Sequence, residues 1–121
     1  MESGISKVEP MASTKSRFCL HVFTAGHDEE RFSLNNGEYV LGRVSSNVRD
    51  RVILGWITIN DPTVSRRHCI INVNDNDVII ADASSRNGTF VNGKRITGSA
   101  IPLQTSDRIE LGNSLLFLEP N

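Results

Sequence analysis

From Phe18 onward the chain is built of short runs in which large apolar residues alternate with polar ones, and turn-forming clusters separate the runs at short intervals. Alternation with a period of two predicts strands that bury one face. Phe18 to Thr24, Arg31 to Leu34, Glu38 to Gly42, Ile57 to Ile59 and Cys69 to Val73 read this way, as do Val78 to Ala81, Thr89 to Val91, Lys94 to Ile96, Asp107 to Leu111 and Ser114 to Glu119. Asn35-Asn36-Gly37 is expected to reverse the chain. Asn74-Asp75-Asn76-Asp77 predicts a hairpin, and Asn92-Gly93 and Gly112-Asn113 are two-residue linkers of the hairpin kind. Nowhere does a helical period persist for about three turns. About ten or eleven short strands in roughly 100 residues predict an all-β sandwich, two sheets of mostly antiparallel strands, with no internal repeat.

Before Phe18 the pattern is absent. Residues 1–16 are rich in Ser, Thr, Lys, Glu, Gly and Pro, with too little apolar surface to offset ordering entropy, so a flexible tail is expected there and a single domain over 17–120. With 121 residues, 38% hydrophobic, the chain is long enough for one domain with a buried core. A formal net charge of −1 argues against whole-protein attraction to nucleic acid or to an anionic membrane, although the basic residues can still cluster locally. Cys19 and Cys69 sit in strand-like runs, and no secretory or membrane-length apolar segment is present. Buried free thiols in an intracellular protein, of nucleus or cytoplasm without distinction, are the expectation. The connection from Val44 to Trp56 begins polar, carries Arg49-Asp50-Arg51 and ends on Val52-Ile53-Leu54-Gly55-Trp56, so its apolar end should pack on the sandwich or form a contact surface.

Candidate chemistry lies in Leu41-Gly42-Arg43, Ser65-Arg66-Arg67-His68 and Ser85-Arg86-Asn87-Gly88-Thr89, each at a strand end or between strands. Loops of that kind can gather at one edge of a rigid sandwich. A phosphothreonine carries about −1.5 to −2 charge and offers three acceptor oxygens, so its receptor needs fixed donors, among them a guanidinium able to bond bidentately. Arg43 answers that need, and Gly42 before it allows close backbone approach. Ser65 adds a short hydroxyl donor beside backbone N–H groups.

These motifs, with the flanking Ile57-Thr58-Ile59-Asn60-Asp61, Asp82 and Phe90-Val91-Asn92-Gly93, resemble the forkhead-associated (FHA) family of phosphothreonine-peptide-binding β-sandwiches from about Phe18 to Glu119. The resemblance implies a phosphopeptide-binding module for phosphorylation-dependent protein–protein interaction in signalling, with a phosphothreonine-containing protein as partner and no cofactor, metal, small-molecule substrate or catalytic residue. It implies that Arg43 meets phosphate and a peptide carbonyl, that Ser65 meets phosphate, that Arg66 meets phosphate or peptide, and that Asn87 bonds the peptide main chain; Arg67, next along an extended chain, is expected to point the other way, into solvent. Gly42, His68, Gly88, Thr89 and Asn92 support the site, with Thr89 and Asn92 fixing the connected loops by bonds to backbone. Arg86 departs from the commoner threonine and either adds a second guanidinium or points to solvent, and Ser106 stands where glycine is common and alters only a turn. Preference for threonine over serine would come from a niche for its γ-methyl. Residues near Thr63 and Val64 would select the third residue after the phosphothreonine, towards an uncharged one.

The rival classes are weaker. A catalytic set of Ser65, His68 and Asp82 is disfavoured because Ser65 and His68, three apart on an extended segment, are expected to point to opposite faces, and no nucleophile elbow, P-loop or metal-ligand set is present. A nucleic-acid binder could use Arg43, Arg49, Arg51, Arg66, Arg67, Arg86 and Arg95, but one Trp and one Tyr supply no stacking ladder. The remaining alternative is an FHA-fold interaction scaffold independent of phosphate, against which intact Arg43, Ser65 and Asn87 argue.

Overall fold

The computed structural model describes residues 17–43 and 55–121. The expectations for the 1–16 tail, and for Arg49, Arg51 and Val52 to Leu54, lie outside the described residues. Eleven strands follow one another: β1 (Phe18–Thr24), β2 (Glu30–Leu34), β3 (Gly37–Arg43), β4 (Trp56–Ile59), β5 (Cys69–Asn74), β6 (Asp77–Asp82), β7 (Thr89–Val91), β8 (Lys94–Arg95), β9 (Ile101–Leu103), β10 (Arg108–Leu111) and β11 (Ser114–Pro120). They form a six-stranded sheet, β2-β1-β11-β10-β7-β8, and a five-stranded sheet, β4-β3-β5-β6-β9.

Alternation decides which face each strand buries. In β1, Phe18, Leu20 and Val22 point inward while Cys19, His21 and Phe23 point out, and β11 answers with buried Leu116 and Leu118. Ile71 and Val73 of β5 and Val78 and Ile80 of β6 close the core from the other sheet. The Asn92-Gly93 turn has φ of 53° and 83°, the left-handed pair that a type I′ hairpin demands. Cys69 is fully buried and free, and burial pushes its thiol pKa well up, so it is inert. Cys19 is free but only partly buried, a correction that follows from its place on the outward face of β1.

Asn35-Asn36-Gly37, expected to reverse the chain, does so between sheets rather than within one, carrying it from β2 to β3, and it is strand β9 and the β3–β4 pair that the pattern did not show. Strand β9 is absent from the pattern because Ile101-Pro102-Leu103 is short and interrupted by proline; among the described residues it survives at the sheet edge, paired with β6 alone. Strands β3 and β4 are parallel, with Arg43 opposite Ile59.

This topology collects one end of β3 and β4, the start of β5, the end of β6, the start of β7 and the β10–β11 turn. The β5–β6, β7–β8 and β9–β10 turns lie at the other end. No helix of the described residues is long and apolar enough to cross a membrane.

Candidate functional site

Gly42 permits the approach on which the site depends. A Cβ there would stand 1.7 Å from the Arg66 carbonyl oxygen, a backbone atom that cannot give way. With no side chain at Gly42, the 60–68 connection lies directly against β3. Arg43 N–H donates to the Ser65 carbonyl at 3.0 Å and His68 N–H donates to the Leu41 carbonyl at 2.8 Å. Arg43, Pro62, Thr63, Val64, Ser65, Arg66, Arg86 and Asn87 thereby line an open cavity of about 230 Å³. Val64 contributes by position only, since its side chain is 1% exposed in the core, and it cannot read a peptide side chain as the resemblance suggested.

His68 joins two of the loops. Its ring is fully buried, Nδ1 accepts from Ser65 N–H at 2.9 Å, and Nε2–H donates to the Gly88 carbonyl at 2.8 Å. The 65–68 segment is bent rather than extended as expected, so alternation along a strand does not set where Ser65 and His68 point. The bend brings the ring beneath the Ser65 backbone, not to its hydroxyl. Both ring nitrogens are occupied by backbone groups, and Asp82 bonds Ser85 and Thr89 rather than the histidine. No relay links Ser65, His68 and Asp82.

The Ser65 hydroxyl oxygen accepts Arg86 N–H at 2.8 Å, which leaves its own proton available as a donor. Asn87 Nδ2 donates to the Thr63 carbonyl at 2.8 Å, so the third loop is also tied to the second through a side chain. Its Oδ1 and second amide hydrogen have no partner among the described residues.

Two carboxylates underlie these loops. Asp82 accepts Ser85 N–H at 3.0 Å, the Ser85 hydroxyl, and the Thr89 hydroxyl at 2.7 Å, while Ser85 Oγ accepts Gly88 N–H at 3.0 Å. Thr89 therefore acts through a carboxylate and not through backbone. Asp61 accepts Thr63 N–H and hydroxyl at 2.9 and 2.6 Å, Asn113 N–H at 2.9 Å and the Ser114 hydroxyl at 2.7 Å. Burial pushes both carboxyl pKa values up, but the donated bonds outweigh it, and both lie below the usual carboxylate value. Asn92 sits at the far end of β7, where Nδ2 donates to Asp107 and Oδ1 accepts Arg108 N–H at 2.9 Å, so it fixes the β7–β8 turn and supports the loops only through the sheet.

Asp61, Asp82, Ser85, Thr63 and the Gly112-Asn113 turn stand in the sequence as motif or loop residues, flanks or a hairpin linker; their role as the supports of these loops is the part missed from sequence. A signal for two of them exists: Asp61-Pro-Thr63 and Asp82-Ala-Ser-Ser85 both place a carboxylate two or three residues before a hydroxyl, the spacing of a side chain that caps its own turn. Nothing local announces Asn113, whose N–H bonds both Asp61 and Thr63 across the fold.

Among the described residues no carboxylate lies within ion-pair distance of Arg43, Arg66 or Arg86, and Arg66 and Arg86 are exposed. No group of three or more His, Cys, Asp or Glu among the described residues could hold a metal ion. The arrangement is a wall of guanidinium, hydroxyl and amide donors around an open cavity, suited to an oxyanion on an extended chain.

Residues 39–112 match the model of the FHA domain. The chain is 34% identical over 90 residues to Nibrin of Danio rerio, covering 74% of this chain and 10% of that one. It is 41% identical over 63 residues to the oxoglutarate dehydrogenase inhibitor of Corynebacterium glutamicum, covering 51% of this chain and 43% of that one. It thus spans a tenth of one relative and less than half of the other. Among solved structures, an FHA domain from Chlamydia trachomatis superposes with a TM-score of 0.71 at 30% identity, covering 88% of this chain and 99% of that one. The FhaA FHA domain, complexed with an intracellular domain of another protein, superposes with a TM-score of 0.67 at 25% identity over 84% of this chain and 99% of that one.

Proposed function

The chain belongs to the FHA-domain family, and on that premise we propose that residues 17–120 form a module that binds phosphothreonine-containing protein segments in signalling. The observation that carries the reading is the junction of three loops around one cavity, in which Ser65 holds Arg43 N–H with its carbonyl and Arg86 N–H with its hydroxyl. Each motif thus delivers a donor to the same place. Arg43, Ser65, Arg66 and Arg86 serve the phosphate, and Asn87 serves the peptide main chain beside it. Gly42, His68, Gly88 and Thr89 hold the loops. The FhaA domain's complex with a protein domain supports a protein as the partner.

Charge-assisted bonds contribute about 1.5 to 3 kcal/mol each, so three or four give roughly 5 to 10 kcal/mol before ordering and desolvation are subtracted. With main-chain contacts the balance falls near micromolar affinity, about −8 kcal/mol, and such binding is readily reversed. Burial of the threonine γ-methyl adds about 0.8 kcal/mol over serine. Titration calorimetry with matched phosphothreonine, phosphoserine and unphosphorylated peptides tests the reading: affinity should fall in that order, with no heat from the last. Equal binding of phosphorylated and unphosphorylated peptides would refute it.

A further inference from the structure

The arginines of this domain sort by place. Arg17, Arg31 and Arg108 each have a carboxylate partner, Asp75 at 3.3 Å, Glu29 at 3.1 Å and Glu110 at 4.0 Å. Arg43, Arg66 and Arg86, around the cavity, have none among the described residues. Arg67 and Arg95, neither of which lines the cavity, share their condition, and the sequence puts Arg95 on a separate hairpin beyond Asn92-Gly93.

The fold returns it to the site. In the β7–β8 pair Arg95 stands opposite Phe90, and Ile96 N–H continues the pairing with the Thr89 carbonyl at 2.9 Å, which fixes the Arg95 backbone beside the third loop. Its side chain lies against Gly88: a Cβ built there would be 2.8 Å from Arg95 Nε and 3.0 Å from Cζ. Gly88, at φ +92°, is adjacent to Asn87, a lining residue of the cavity. The absence of a side chain at 88 therefore leaves a seat for this guanidinium beside a loop that is itself held by the bonds to Thr63 and His68. A guanidinium laid against backbone loses less rotamer freedom on pairing than one free in solvent, which favours an oxyanion partner.

We propose that Arg95 is a specificity-determining residue that pairs with a second oxyanion of the bound segment, an Asp or Glu carboxylate or a second phosphoryl group, on the flank that passes Asn87. The inference rests on the phosphopeptide reading above. It assigns a cation outside the phosphate cavity to sequence selection, and it gives Gly88 a second use besides the turn.

The test is a set of phosphothreonine peptides with alanine flanks, into which one Asp, or one phosphoserine, is placed in turn on either side. Anisotropy titrations compare the parent, Arg95→Gln, Arg95→Lys and Lys94→Gln. The quantity read is the affinity of each substituted peptide relative to the alanine-flanked one for the same protein, so any general effect of a substitution on the loop cancels. The parent should gain about twofold to fivefold at one flank, the range of an exposed ion pair. Arg95→Gln should bring that ratio to about one, Arg95→Lys should keep part of it, and Lys94→Gln should match the parent. Raising salt from about 0.1 M to about 1 M, which shortens the screening length from about 10 to about 3 Å, should also remove it. The phosphoserine arm shows whether a tetrahedral oxyanion is preferred to a carboxylate. The proposal is overturned if the parent gains at no position, if the gain survives in Arg95→Gln, or if Arg95→Gln weakens every peptide equally with its ratio intact. A parent that binds the alanine-flanked phosphopeptide no better than its unphosphorylated form would instead remove the underlying reading, and this one with it.

Discussion

Arg43 and His68 separate binding from stability at the scale of single residues. Arg43 stands at the rim and has no carboxylate partner among the described residues, so Arg43→Ala should weaken phosphopeptide binding by about 3 kcal/mol while moving the melting temperature little. Calorimetric titration and a thermal melt check the two halves. His68 is fully buried between Ser65 N–H and the Gly88 carbonyl, and His68→Ala would orphan both and leave a cavity. A stability loss of about 2 to 4 kcal/mol is expected in urea unfolding. Arg86 has its backbone committed to Ser65 and its side chain at the cavity wall. Arg86→Ala should cost about 1 to 2 kcal/mol of binding and flatten its salt dependence, with Arg86→Lys recovering part. An unchanged affinity would leave that guanidinium in solvent.

Between strands, the connections are built on carboxylates more than on turn residues alone. Asp82→Asn would keep the shape of the 82–89 loop but replace an acceptor of N–H and hydroxyl bonds with a half-donor, loosening Ser85 and through it Gly88 N–H. We expect peptide affinity and stability to fall together, by about 1 to 3 kcal/mol each, with faster amide exchange at Gly88 as the local readout. Loss of affinity without any change in exchange would place Asp82 outside the support of the loop. The strands around these loops were largely legible: the hairpins at Asp75-Asn76, Asn92-Gly93 and Gly112-Asn113 follow from turn chemistry and alternation. The parallel register of β3 and β4 and the proline-bearing β9 were not, because neither leaves a local periodicity to read.

Over the whole molecule, titration sets a window of stability. Asp61 and Asp82 have folded pKa values below 3.8, so their contribution is present above that value and is lost as pH falls through the folded ones. His21 has the opposite sign. It sits between Glu29 at 2.6 Å and Glu119 at 2.7 Å, and the bond to Glu29, then that to Glu119, raises its pKa above 6.5. Its contribution is present below 6.5 and is lost as pH rises through the folded value. Unfolding free energy should therefore peak on the acidic side of neutrality, and His21→Gln should flatten the decline above it, as measured by urea unfolding from pH 4 to 9. Peptide affinity should run the other way near pH 6, rising as the phosphate takes its second charge at about that pH.

The all-β class and most strand positions are written in the chain itself, because alternation and turn residues are local properties. Through the resemblance its motifs also proposed Arg43, Ser65, Arg66, Arg86 and Asn87 as a binding set, and all five line one cavity. It took the folded chain to show that the 65–68 segment bends so that His68 bridges Ser65 to Gly88, that Val64 belongs to the core, and that Asn92 lies at the far end. Folding alone brought Asn113 to Asp61 and Arg95 to Gly88. Those contacts join residues far apart in the chain, and their partners are chosen by sheet order and strand register, which no single stretch of sequence encodes.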